Sequence, residues 1–243
     1  MTTDSKSSSD QKPPYFATFF TLVAVVLLIS LGFWQMQRAQ EKQERVTQIE
    51  QRQSVSRLSL DTVLNEQDRR DLPFEVKGAL QLDKVFLLDN RIETGQVGFH
   101  VLVPLETESG VLMINFGWIK ANAYRDQLPQ IQLNQDTYSF YGISAVPTHN
   151  PMVTETATAS APWPRVIQSI DLTLMSAFLD HPLLPVVMQL APEHQMGFVR
   201  NWQPVVMAPE KHYAYALQWF GLALACVIIY FVALRKRRSK THD

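Results

Sequence analysis

The stretch FATFFTLVAVVLLISLGFW, residues 16–34, decides the architecture together with its counterpart YAYALQWFGLALACVIIYFVAL, residues 213–234. Neither contains a charged side chain, and each reaches the roughly 20 residues needed to cross a hydrocarbon core of about 30 Å. Neither has the polar face that would let a helix lie along a bilayer surface. The chain therefore reads as a two-span membrane protein whose long middle forms a single loop. The run after Lys12 exceeds the ~7–15 apolar residues of a signal core, and no small-x-small cleavage site follows it, so it is expected to stay as an anchor.

Orientation is read from Arg235-Lys236-Arg237-Arg238-Ser239-Lys240, a basic cluster abutting the second span, which the positive-inside bias assigns to the cytoplasm. Two spans then place the N-terminus there too. Arg38, Lys42 and Arg45 argue locally for the opposite sense, but loops longer than about 60 residues translocate largely regardless of charge. The 22 Lys and Arg nearly balance the 23 Asp and Glu, the acidic excess lies in the loop, and a nucleic-acid partner is not expected. The sole cysteine, Cys226, lies within the second span and leaves the loop no disulfide, so the loop must be held by its own apolar core.

The organisation reads as a disordered cytoplasmic N-terminus (1–14), a first transmembrane helix (15–36), a juxtamembrane helix with a short second helix (37–72), a periplasmic β domain (73–208), a second transmembrane helix (212–234) and a basic tail (235–243). Good helix formers continue past the first span to about Gln53, and Ser59 precedes Leu60-Asp61-Thr62-Val63-Leu64 as a helix cap would. Short apolar or alternating runs follow at Phe74–Gly78, Lys84–Asp89, Gly98–Leu105, Val111–Ile119, Thr137–Val146, Arg165–Ile170, Val186–Leu190 and Phe198–Trp202, with a short helix at Leu172–Leu179. The fourth run follows the third at hairpin spacing. Pro104 is expected at an edge or a bulge, and Gly98 and Gly117 where backbones approach closely or turn. His149–Pro164 lacks periodicity and reads as a mobile flap or an Ω-like loop. The expected fold is two transmembrane α-helices flanking a mainly antiparallel β domain, barrel- or sandwich-like, with a few short helices.

The sequence lacks GxSxG, P-loop, GxGxxG, HExxH and CxxC signatures, so nothing in it points to an enzyme. His100, His149, His181 and His194 are scattered without metal-ligand spacing and read as structural or surface histidines. Two clusters at the loop-side ends of the spans remain. On a helix Trp34, Arg38 and Lys42 recur every four residues, and His212, Tyr215 and Trp219 fall at i, i+3 and i+7, so each cluster makes one stripe. An interfacial belt of aromatic and snorkelling basic residues accounts for both stripes. Gln35 and Gln218 are polar residues that an anchor does not need, and they favour a packed or ligand-binding site.

Leu31-Gly32-Phe33-Trp34-Gln35 with Arg38 and Lys42, Leu88-Asp89-Asn90-Arg91 and Gly95 with Gly98 to Leu105, Gly117-Trp118-Ile119, and His212 with Tyr215-Ala216 and Gln218-Trp219-Phe220 occur in an order that resembles the surfeit locus assembly factors of cytochrome c oxidase. The resemblance covers nearly the whole chain. Phe116 stands where that family usually has an arginine, and the quoted motifs give no match over residues from about Thr148 to Leu190. The resemblance implies a non-catalytic helper of a haem-copper terminal oxidase in the bacterial inner membrane. It further implies haem a as cofactor, the oxidase catalytic subunit and the haem a synthesis machinery as partners, and His212 as the iron ligand. Trp34, Arg38, Tyr215 and Trp219 would surround the macrocycle, whose propionates a base such as Arg38 or Lys42 could meet. A membrane-anchored sensor or ligand-binding module is the alternative, opposed by the shortness of the tail after Leu234.

Overall fold

The computed structural model describes residues 15–124, 127–133, 138–148, 151–194, 196–204 and 206–239, so the expected disordered N-terminus, Thr137, His149 and the tail from Lys240 lie outside the described residues. Two compact units divide the chain, one holding the residues up to Thr47 with those from Val205 onward, the other Gln48–Pro204. In chain order the elements are α1 (Tyr15–Gln53), β1 (Leu58–Ser59), α2 (Leu60–Asn65), β2 (Pro73–Leu80), β3 (Phe86–Glu93), β4 (Gln96–Thr107), β5 (Gly110–Lys120), β6 (Tyr138–Ala145), β7 (Arg165–Ile167), α3 (Leu172–Leu179), β8 (Leu183–Leu190) and α4 (Pro209–Ser239).

In the central unit β2, β4, β5, β8 and β6 close into a five-stranded barrel, because β2 pairs with both β4 and β6. Every barrel pairing is antiparallel except β5 with β8. This strand order, with its third and fifth strands parallel, is that of the Greek-key OB barrel. Period-two alternation fills the interior with Phe74 and Val76, Phe99, Val101, Val103 and Leu105, Leu112, Ile114 and Phe116, Phe140, and Val186, Met188 and Leu190, all buried. The opposite faces of β3, β4, β5 and β8 carry Phe86, Leu88, Leu102, Met113 and Val187, and β7 and α3 cover them with Ile167, Met175 and Leu179.

Local chemistry sets the ends. Ser59 caps α2 by accepting from the Thr62 amide, and Asp171 caps α3 by accepting from Thr173 and Leu174. Thr94 and Gly95, both at positive φ, turn β3 into β4 as a type I′ hairpin requires. Pro104 is at neither an edge nor a bulge. It sits in the middle of β4, where the flanking partner changes from β3, paired at Leu102, to β2, paired at Leu105. Its carbonyl accepts from the Gln81 amide on that side, so the missing N–H falls at the handover, where no ladder bond is lost. Gly98 and Gly117 do mark close approaches. A Cβ on Gly98 would collide with the Ile119 carbonyl and the Trp118 ring, and one on Gly117, at φ +114, with the Val199 carbonyl.

The segment before β7 is tied down at several points. The Glu155 carboxylate accepts from the amides of Thr156, Ala157, Gln168 and Ser169. Arg165 donates to the carbonyls of Ala159 and Ala161, and its guanidinium stacks on Trp163 and Phe178. Its described residues are thus fastened to β7 and to the two residues that follow it.

The other unit is a hairpin of α1 and α4, the two described helices long and apolar enough to cross a membrane. Their partly or fully buried positions follow a heptad pattern: Thr21, Val25, Leu28, Gly32, Gln35, Ala39 on α1 and His212, Ala216, Trp219, Ala223, Cys226, Tyr230 on α4. Small residues let the backbones approach, and a Cβ on Gly32 would strike the Phe220 ring. Thr18 hydrogen-bonds Tyr230 at 2.6 Å near one end and Gln35 meets His212 at the other, so the helices run antiparallel. The intervening seam is about 25 Å long at 1.5 Å per residue, close to the hydrocarbon thickness.

Candidate functional site

His212 enters the seam in the first turn of α4, directly opposite Gln35. Its Nδ1 lies 2.8 Å from Gln35 Oε1, and since an amide oxygen only accepts, Nδ1 carries the proton and donates it. The other ring nitrogen, Nε2, is buried and has no hydrogen-bond partner. A buried polar atom without a partner costs about 1–3 kcal/mol, and such exceptions concentrate where a ligand or chemistry accounts for them. A histidine that ligates a metal through one nitrogen donates its other N–H to an oxygen acceptor, which is the arrangement His212 already has. The donor set therefore fits an imidazole iron ligand.

The other sequence-derived site residues lie in the same unit with different surroundings. Trp34 and Tyr215 are about half exposed, and Trp219 is half-buried. The Arg38 guanidinium stands 5.8 Å from the Trp34 ring centre and pairs with Glu41 at 2.7 Å, so it is held at the helix surface by its own neighbours. None of these four makes a hydrogen bond or ring contact with His212; the residue that does is Gln35. Gln218 is exposed, on a side of α4 away from the seam.

A second concentration of polar and aromatic groups lies on the outside of the barrel, where two of the quoted sequence blocks converge. The β3 bulge, with Asn90 at positive φ, brings the Arg91 carbonyl to Trp118 Nε1 at 2.9 Å. His100 Nδ1 lies 3.2 Å from Asn115 Nδ2, whose own Oδ1 accepts from the Gly117 amide. An amide nitrogen only donates, so the His100 proton sits on Nε2. Trp202 packs edge-on against this ring at 5.5 Å while its indole N–H donates to the Leu190 carbonyl. Burial, with the Arg91 charge second, pushes the His100 pKa down to about 4, so the ring is neutral at physiological pH. Burial likewise lowers His194, whose Nε2 accepts from the Tyr141 amide. Both serve the scaffold, and among the described residues no group of three or more His, Cys, Asp or Glu could hold a metal ion.

Phe116, the departure noted in the sequence, points into the barrel between Phe140 and Phe198. A guanidinium does stand beside this backbone, that of Arg200, whose Nε donates to the Phe116 carbonyl at 2.7 Å and whose aliphatic stem lies over Gly117. The side chain at 116 is thus a core residue, and the base beside this turn comes from the segment after β8.

A closed five-stranded barrel carried between two apolar helices, with a histidine and a glutamine paired in the helix seam, defines a membrane-anchored protein whose distinctive polar chemistry sits between its helices. The family model described as the SURF1 family matches residues 22–224, and the chain belongs to that family. Among its relatives, the SURF1-like protein of Rickettsia felis is 25% identical over 88% of this chain and 95% of its own length. The SURF1-like protein of Rickettsia conorii is 23% identical over 90% and 91%, and that of Rickettsia bellii 23% over the same shares.

Proposed function

We propose that this protein is a non-catalytic assembly factor for a haem-copper terminal oxidase, that it binds haem a as cargo, and that it helps place the haem in the large catalytic subunit. The family membership supports the first part, since its members generally act in oxidase assembly. The observation that carries the haem reading is the His212 ring, with Nδ1 engaged and Nε2 buried without a partner. Haem a supplies the redox iron that the oxidase needs, and the carrier has only to hold it. Nε2 is buried in the seam, so the side chains over it would have to move aside before it acts as a ligand, while Nδ1 stays on Gln35. Trp34 and Trp219 would then offer aromatic surface, and Arg38 or Lys42 a cation at the aqueous boundary.

The same proposal includes a bacterial inner-membrane location with both termini cytoplasmic and the barrel in the periplasm, as the basic cluster from Arg235 supports. Its partners would be the oxidase catalytic subunit and the haem a synthesis machinery. The test is to purify the full chain from cells making haem a and compare its absorption spectrum with that of an equally abundant His212→Ala variant. A haem a spectrum that the variant loses supports the reading; the same spectrum in both removes His212 as the ligand.

A further inference from the structure

We propose that Gln35 is the positioning residue of the His212 ligand, fixing from the opposite helix which imidazole nitrogen is free. The inference rests on the reading of His212 as an iron ligand and adds a residue whose only role is to orient it.

The pair lies at one end of the seam, with Gly32 and Ala39 flanking Gln35 and Ala216 one turn beyond His212. An amide placed there loses hydration and is retained only if it gains a partner. It has one in the His212 Nδ1–H at 2.8 Å. Free neutral imidazole divides its proton between two nitrogens, so holding it on Nδ1 converts a mixture into a single acceptor, Nε2. A fixed oxygen on Nδ1–H also limits the rotation of the ring, as the outer partners of metal-bound histidines do. Because Gln35 is on α1 and His212 on α4, the Nδ1–H tautomer is selected over the other only when the two helices are packed. An unpaired α4 would present its histidine without that preference.

The test uses the full chain in detergent micelles, with ferric protoporphyrin IX as the probe. Gln35→Leu keeps the approximate volume and removes the acceptor, Gln35→Glu keeps an acceptor, and His212→Ala sets the baseline. Melting temperature and helix content are measured first for each. The expected result is about 10–100-fold weaker binding in Gln35→Leu, the usual effect of removing an outer partner, with binding restored in Gln35→Glu. Independently of any haem, 15N spectra of the imidazoles in the unloaded protein should show His212 as the Nδ1–H tautomer in the wild type and as a mixture in Gln35→Leu. If His212→Ala binds the probe as the wild type does, the iron-ligand reading fails. If His212→Ala loses binding while Gln35→Leu matches the wild type in affinity, spectrum and tautomer, the ligand stands and the positioning role is wrong. Gln35→Glu binding as weakly as Gln35→Leu would also overturn it.

Discussion

Gly117→Ala should be among the most damaging single-methyl changes in the barrel. Its φ of +114 is open to glycine and strained for any L residue, at about 1–3 kcal/mol. The added Cβ would also run into the Val199 carbonyl. That carbonyl accepts from the Trp118 amide at 2.7 Å, and the Val199 amide returns a bond to Trp118 at 2.9 Å. Pushing the strands apart sacrifices both bonds at about 1 kcal/mol each, for a total near 3–5 kcal/mol. In a domain of this size each kcal/mol lowers the melting temperature by about 2–4 °C, so the drop should be about 6–20 °C. Tryptophan fluorescence of the full chain in detergent is a suitable readout, because Trp118 and Trp202 both flank the affected segment. Gly197→Ala is the matched control: it too has a positive φ, but a Cβ there meets nothing within 4 Å, so only about 1–2 kcal/mol is expected. Equal losses in the two variants, or no loss at Gly117, would refute the close-approach argument.

Three further expectations follow from the same structure. The His100 pKa is about 4 in the fold against about 6.5 unfolded, so the unfolded chain binds the extra proton between those values. Stability should fall as pH drops from about 6.5 toward 4, by roughly 2–3 kcal/mol from this group; His194, lowered too, acts in the same sense, and denaturant melts of His100→Phe should show a shallower fall. Glu155→Gln halves the acceptor capacity of a side chain that serves four backbone amides, and should cost about 1–3 kcal/mol and raise proteolysis of the segment before β7. Gly32→Val drives a side chain into the Phe220 ring, so engineered cysteines at Thr18 and Tyr230 should crosslink in the parent and much less in the variant.

Features governed by neighbours in sequence were legible. The spans, the helix running on to Gln53, the Ser59 cap, the bounds of α3 and the β4–β5 hairpin all follow from periodicity, capping and turn chemistry. Features governed by distant partners were not. Closure through β2 with β4 and the parallel β5–β8 pair depend on which half-buried strands meet, and alternation alone does not encode that. Arg165–Ile170 reads as a strand, yet β7 stops at Ile167 because the Glu155 carboxylate takes the amides of Gln168 and Ser169. Phe198–Trp202 shrinks to a single bridge between Val199 and Trp118, beside the turned backbone at Gly117. The candidate site was half legible. Gln35 and His212 each stand out as polar residues at a span end, but the stripe grouping puts His212 with Tyr215 and Trp219 and leaves Gln35 outside both stripes. Heptad spacing of small residues, Gly32 with Ala39 and Ala216 with Ala223, is the signal that places Gln35 and His212 in one seam.

That seam poses a choice between register and ligand. A single polar pair in an apolar helix interface can serve simply to fix alignment, as a buried asparagine does in coiled coils. Thr18 with Tyr230 fits that role, since both are hydroxyls bonded to one another. Gln35 with His212 fits it poorly. An asparagine or threonine at position 212 could return the glutamine's hydrogen bond and leave no ring nitrogen to satisfy, whereas histidine brings a second nitrogen that is buried and idle. Register therefore accounts for Gln35 having a partner and does not account for that partner being an imidazole. An imidazole with one nitrogen held and the other free is accounted for by something that binds the free one, and the membrane-boundary position of the pair, with aromatic side chains exposed on the adjoining helix surfaces, suits a flat apolar cargo with charged ends.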